Sequence, residues 1–148
     1  MPLERQTRRW KRGNAIIEFA LVFPLLSTFL IGLFQLGYAF FLYNELQSAI
    51  RAGARYASAA DFDQSQSGVT FKSNVQKMVV YGSPTGATAL VPGLTTSGVS
   101  VTWQVDGTGF PQIITVKISS FPITVLGTTY QLTNKPQATF IYLGQTVT

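Results

Sequence analysis

The chain has 148 residues, of which 46% are apolar and only 11% charged, with no histidine and no cysteine. That length holds one small domain with at most an appendage. Charge this scarce, against roughly 25% in soluble domains, fits a chain that meets a membrane or buries surface against other chains. The missing His and Cys exclude Cys/His zinc sites, Ser-His-Asp and Cys-His triads, thiol redox chemistry and disulfides. The five acids beyond the N-terminal tail stand singly, and Asp61 and Asp63 alternate without continuing into a calcium-ligand series. Neither an enzyme nor a cofactor is expected.

The net charge of +5 is concentrated at one end. Arg5, Arg8, Arg9, Lys11 and Arg12 all precede Gly13, opposed only by Glu4, while from Asn14 onward six cations face five acids. A basic tail on a near-neutral body lacks the cationic face that nucleic acid requires, so no nucleic-acid partner is expected.

Phe19 to Tyr43 contains no charged residue, 25 positions in all. As a helix at ~1.5 Å per residue the run reaches roughly 37 Å, enough for a bilayer core of ~30 Å. Basic residues before the span place the N-terminus in the cytoplasm and the remainder outside, an inner-membrane single-pass arrangement. The "ASA" at Ala57 lies too far past the apolar run for a signal-peptidase site. Beyond the span, Leu42, Leu46, Ala49, Ile50, Gly53 and Ala57 keep a helical stripe, and the whole helix is expected over residues 14–60. Ala49, Gly53 and Ala57 put a small residue at every fourth position, allowing close helix approach. The element they meet is either the chain's own C-terminal part or another chain. Arg51 and Arg55 fall on a different face, solvated or pairing with Asp61 or a neighbour. Pro24, lacking an N–H, should kink or loosen the helix.

Glu18 is the one acid at the start of the apolar run, where charge is costly. If the chain is cut after Gly13, Asn14 carries a new ammonium group four residues before Glu18. The two charges can then neutralise each other, within a chain or between neighbours, and between neighbours the pairing would set axial register. The alternative is a juxtamembrane acid reaching back to the cytoplasmic interface.

The arrangement resembles the type IV prepilins, with Gly13 before the cut, Asn14 as first mature residue, Glu18 as fifth and Phe19 as sixth. More specifically, residues 12–58 resemble the TadE-like family, minor pilins or pseudopilins of tight-adherence (Tad/Flp) pilus systems. The resemblance is carried by Glu18-Phe19, Pro24, Gly37-Tyr38 and "RAGARYA" from Arg51 to Ala57. It implies a leader over residues 1–13 removed by a prepilin peptidase, then assembly into or at the base of a pilus. Other pilin subunits, an inner-membrane assembly platform and a cytoplasmic ATPase are the implied partners, with membrane lipid before assembly and the cell surface as destination. The competing reading is an uncleaved single-pass protein displaying a β-rich binding or sensor domain.

Residues 61–70, "DFDQSQSGVT", read as a linker before an exported head over 71–148. "FKSNVQKMVVYG" places Phe71, Val75, Met78 and Val79 on one helical face and ends at Gly82. Turn residues fill 82–98. The period then becomes two: Val99, Val101, Trp103 and Val105 alternate, "DGTG" forms a hairpin turn, and Ile114, Val116 and Ile118 continue on the return strand. "TYQLT" near Tyr130 is a short strand candidate, and "QATFIYLG" closes the series. The expected class is α+β, pilin-like: a long N-terminal helix, a short second helix and three or four antiparallel strands.

Overall fold

The computed structural model describes residues 4–64 and 67–144, with side-chain surroundings from residue 14 onward. The architecture is α+β. Helix α1 spans Glu4–Ala59 and α2 spans Val69–Tyr81, followed by a single 3-10 turn at Thr96–Gly98. Five strands come next: β1 Val99–Val105, β2 Pro111–Ile118, β3 Ser120–Val125, β4 Thr128–Thr133 and β5 Gln137–Ile141. The chain divides into two compact units, Met1–Tyr38 and Ala39–Thr148.

The second unit, the head, is built around the C-terminal part of α1. Leu42, Leu46, Ala49, Ile50, Ala54 and Ala57 turn inward at helical spacing and are buried. They join Phe71, Val75, Val79 and Val80 of α2 in one apolar core. Gly53 lies at a close approach of the two helices, since a Cβ there would overlap Val79 Cγ2 and approach the Val75 carbonyl. The small-residue stripe Ala49, Gly53 and Ala57 thus packs inside the chain's own head. On α2 the buried set differs by one position from the expected face, with Val80 inside and Met78 half-buried. Gly82 ends the helix as expected: it adopts φ 71° and its N–H donates to the Met78 carbonyl at 2.9 Å.

A three-stranded antiparallel sheet, ordered β1-β2-β5, completes the core, and β3 and β4 form a two-stranded sheet. Cross-strand partners Val101↔Val116 and Trp103↔Ile114 present one face inward. On the other face hydroxyls bond across strands, with Thr115 Oγ1 and Thr139 Oγ1 3.1 Å apart. The ladders run on from one sheet to the next, because Ile118 N–H donates to Pro136 and Asn134 N–H to Ser119. Strand β3 was not expected from the sequence. Pro122 interrupts its pattern, yet it stands opposite Gln131, at a position whose N–H would point away from β4, so the ladder loses nothing. Leu126 and Gly127, both at positive φ (51° and 76°), make the tight turn between β3 and β4.

Two contacts close the end of α1. Leu143 N–H donates to the Ser58 carbonyl at 2.8 Å, and the Tyr142 hydroxyl donates to the Ala60 carbonyl at 2.9 Å. Such carbonyls have no partner inside their own helix and must find one elsewhere. Beside them Phe62, Phe71 and Trp103 stack edge to face with centroids 5.4–5.8 Å apart, and Tyr142 lies 6.4 Å from Phe71. Gly68, at φ 70°, fits beneath this cluster, since a Cβ would meet Phe62 and Trp103 at 2.6 and 2.9 Å.

At the β1–β2 turn, Asp106 Oδ1 accepts from Thr108 N–H at 2.9 Å, Thr108 Oγ1 at 2.6 Å and Phe110 N–H at 3.1 Å. Donation to the charged form holds this carboxyl below its ordinary value, with the Thr108 hydroxyl as the largest cause.

Replacing Gly53 with Val should lower the stability of the head by about 2 kcal/mol through overpacking, read as a lower thermal midpoint. An unchanged midpoint would show that the two helices have room to spare. For Asp106 the folded-state pKa is depressed, so its contribution is complete above the unfolded carboxyl range near pH 4. It disappears as the pH falls through the folded value. The midpoint of the wild type should therefore drop more steeply below about pH 4 than that of Asp106→Asn, which keeps an acceptor oxygen at all pH values. Identical pH profiles would sever the link.

Candidate assembly helix

The site residues expected from the sequence all lie along α1, the processing and register residues on the first unit. Its helical path passes through Gly13 and Asn14 without interruption. Asn14, Glu18 and Phe19 are all exposed, Phe19 at 65%. The Phe19 ring lies 5.4 Å from that of Phe23 one turn on. From Ile16 to Phe41, large apolar side chains are exposed around the whole circumference, including Leu21, Phe23, Leu25, Phe29 and Phe34. A helix apolar all round belongs inside a large core or in a membrane. The stretch Asn14–Ala59 is long and apolar enough to cross one, and its apolar window has no residue buried within the chain.

Pro24 sits within α1, which remains helical through it. The proline ring removes the N–H that would reach the Ala20 carbonyl. One turn later, Thr28 Oγ1 donates to the Pro24 carbonyl at 2.9 Å. That bond satisfies the hydroxyl within the helix, which allows a threonine in an apolar segment.

The structure thus separates the expected residues into two groups. Gly13, Asn14, Glu18, Phe19 and Pro24 lie on the exposed apolar unit, and Ala49, Gly53 and Ala57 are packed within the head. Arg51 and Arg55 are exposed, and neither pairs with Asp61 among the described residues. The leader side chains lie outside those residues. No group of three His, Cys, Asp or Glu capable of holding a metal occurs among the described residues. What sequence reasoning missed is the closure of the end of α1 by Tyr142 and Leu143, which no local pattern announces.

A long helix, apolar on every side in its first part and supporting a small α+β head with its second, is the layout of a pilin-like chain. Residues 13–55 match the model of a family described as TadE-like protein. The match begins at Gly13, spans the apolar run and ends at Arg55, and this segment is therefore TadE-like. That family comprises structural pilus components, not enzymes. Match and exposed helix together fit a pilin-like protein associated with a Tad pilus. No curated protein and no solved structure matches the chain.

Proposed function

We propose that the chain is a pilin-like subunit, a minor pilin or pseudopilin, that a prepilin peptidase cuts after Gly13. It is then drawn from the membrane into, or to the base of, a Tad-type pilus. The observation that carries this reading is the fully exposed apolar helix with Glu18 near its start, in a segment whose TadE-like match opens at Gly13.

The physical logic follows from what each part costs. An apolar helix with no cover in its own chain loses about 25 cal/mol for every Å² of apolar surface left in water. It therefore stays in lipid or packs against other such helices. Lipid accepts it without specificity; a bundle of like helices accepts it in a defined register. Glu18 supplies that register. After cleavage, the amino group of Asn14 on one chain and the Glu18 carboxylate of a neighbour compensate each other in a medium where an unpaired charge is expensive. The basic leader holds the precursor with its N-terminus in the cytoplasm, and its removal frees the amino group that Glu18 needs. Pro24 loosens the helix six residues past Glu18, and neighbouring helices can satisfy the carbonyl it orphans. The inner-membrane platform and cytoplasmic ATPase of such systems would supply the work of extraction.

Glu18→Ala should insert into membranes normally, because a costly charge is removed, yet be depleted in sheared pilus fractions by tenfold or more. Undiminished incorporation would rule out the register role. Gly13→Leu should leave a precursor longer by the leader, and terminal peptide sequencing should find the wild type beginning at Asn14. A wild-type chain beginning at Met1 or Pro2 would refute processing at Gly13.

A further inference from the structure

The fold accounts for only part of the segment from Arg51 to Ala57. Gly53, Ala54 and Ala57 are buried in the head, whereas Arg51 and Arg55 are exposed and form no ion pair with any described residue. Glu45, on the same uncovered side of α1, is likewise exposed and without an ion pair among those residues. From Asn14 onward the chain has eleven charged residues, and three of them stand unmatched on this one face. Their positions sort by sign. At ~3.6 residues per turn, Glu45 and Arg51 lie roughly 120° apart around the helix, on opposite flanks of the face, and Arg55 leans to the Arg51 side. Between the flanks stand Ser48 and Ala52, both exposed and small enough to let another helix approach. Within one helix, charges pair at three or four residues. Glu45 and Arg51, at six residues and on different flanks, do not meet that spacing.

An acidic flank and a basic flank on the same face complement each other on two copies lying side by side. We infer that the uncovered face of α1 in the head docks a second copy of this chain, parallel and displaced along the helix, with Glu45 of one copy paired to Arg51 of the next. Parallel neighbours are supplied by the pilin-like reading, on which this contact rests. The displacement follows from the other end of α1. If the Asn14 amino group of one copy meets Glu18 of its neighbour, the first copy is advanced by four residues, ~6 Å at ~1.5 Å per residue. Its Glu45 then stands level with residue 49 of the neighbour, two residues or ~3 Å from Arg51 along the axis, within reach of an arginine side chain. In register the two are ~9 Å apart, and displaced the other way ~15 Å. One shift, in one direction, serves both pairs. The contact uses one flank of each copy and leaves the opposite flanks open, so it is heterologous and continues to a third copy rather than closing on a two-fold axis. An exposed ion pair adds little stability by itself. Its effect here is selection, since two acidic or two basic flanks repel and only the unlike pair comes together.

The test uses cells producing the full-length chain with Ser48→Cys, which places one thiol in the middle of the face of a chain that has no cysteine of its own. A bis-maleimide added to their membranes should give a covalent dimer of this chain, identified by peptide mass spectrometry. In that background Glu45→Arg alone, or Arg51→Glu alone, should lower the dimer yield at least fivefold, and the two together should restore it to within twofold. Both positions are exposed, so the thermal midpoint should not move. When the two single variants are produced together under different tags, each presents the flank the other lacks, and dimers of unlike tags should exceed those of like tags at least fivefold. Dimer yield indifferent to either reversal, failure of the double variant to recover, or a thiol linked only to a different polypeptide would overturn the contact. Incorporation into sheared pili is scored separately. Loss of Glu18→Ala from pili beside full dimer yield in Glu45→Arg would sink this contact and leave the pilus reading standing. Charge rescue in a chain never found in pili would do the reverse.

Discussion

One helix has to satisfy two incompatible surroundings, and the rest of the structure follows from how α1 does so. From Phe19 to Tyr38 it carries no charge and its large apolar side chains are exposed in every direction. From Leu42 onward the apolar residues retreat to one stripe, and the opposite side carries Glu45, Ser48, Arg51 and Arg55, all exposed. No break in the helix marks this change; it is made by side-chain choice alone. A one-sided stripe must be covered, and α2 and the β1-β2-β5 sheet cover it. The head is therefore not a domain tethered to a helix. Its core contains that helix, and removing Leu46 or Ile50, both fully buried, would open the centre.

Periodicity made most of this legible. The stripe from Leu42 to Ala57, the α2 face, the glycine stop at Gly82 and the alternation of β1 and β2 are local signals, and each corresponds to an observed element. Legibility failed where local and tertiary preferences disagree. Pro122 spoils the pattern of β3, and only the ladder with β4 shows why a proline is harmless there. Val91 and Leu94 sit among turn residues yet are almost fully buried, at 1% and 3% exposure, because the loop folds onto the core. Val80 takes the place of Met78 in the buried face of α2.

The candidate assembly residues rest on different grounds. Gly13, Asn14 and Glu18 are proposed from a charge pattern and a resemblance and not from any packing. The aromatic cluster at the end of α1 is the opposite case. Phe62, Phe71, Trp103 and Tyr142 come from a linker, the second helix, β1 and the segment after β5, so only the folded head assembles them.

The bond from the Tyr142 hydroxyl to the Ala60 carbonyl joins residues 82 apart in sequence. With the Leu143 bond to Ser58, it means that the middle of the chain is finished by its last described residues. Contacts this distant close late, because the intervening loop must be ordered first. The end of α1 therefore waits, its carbonyls still bound to water, until Tyr142 and Leu143 have been made and have folded back onto it. That delay separates in time the insertion of the apolar helix from the moment the attached domain becomes rigid enough to be recognised.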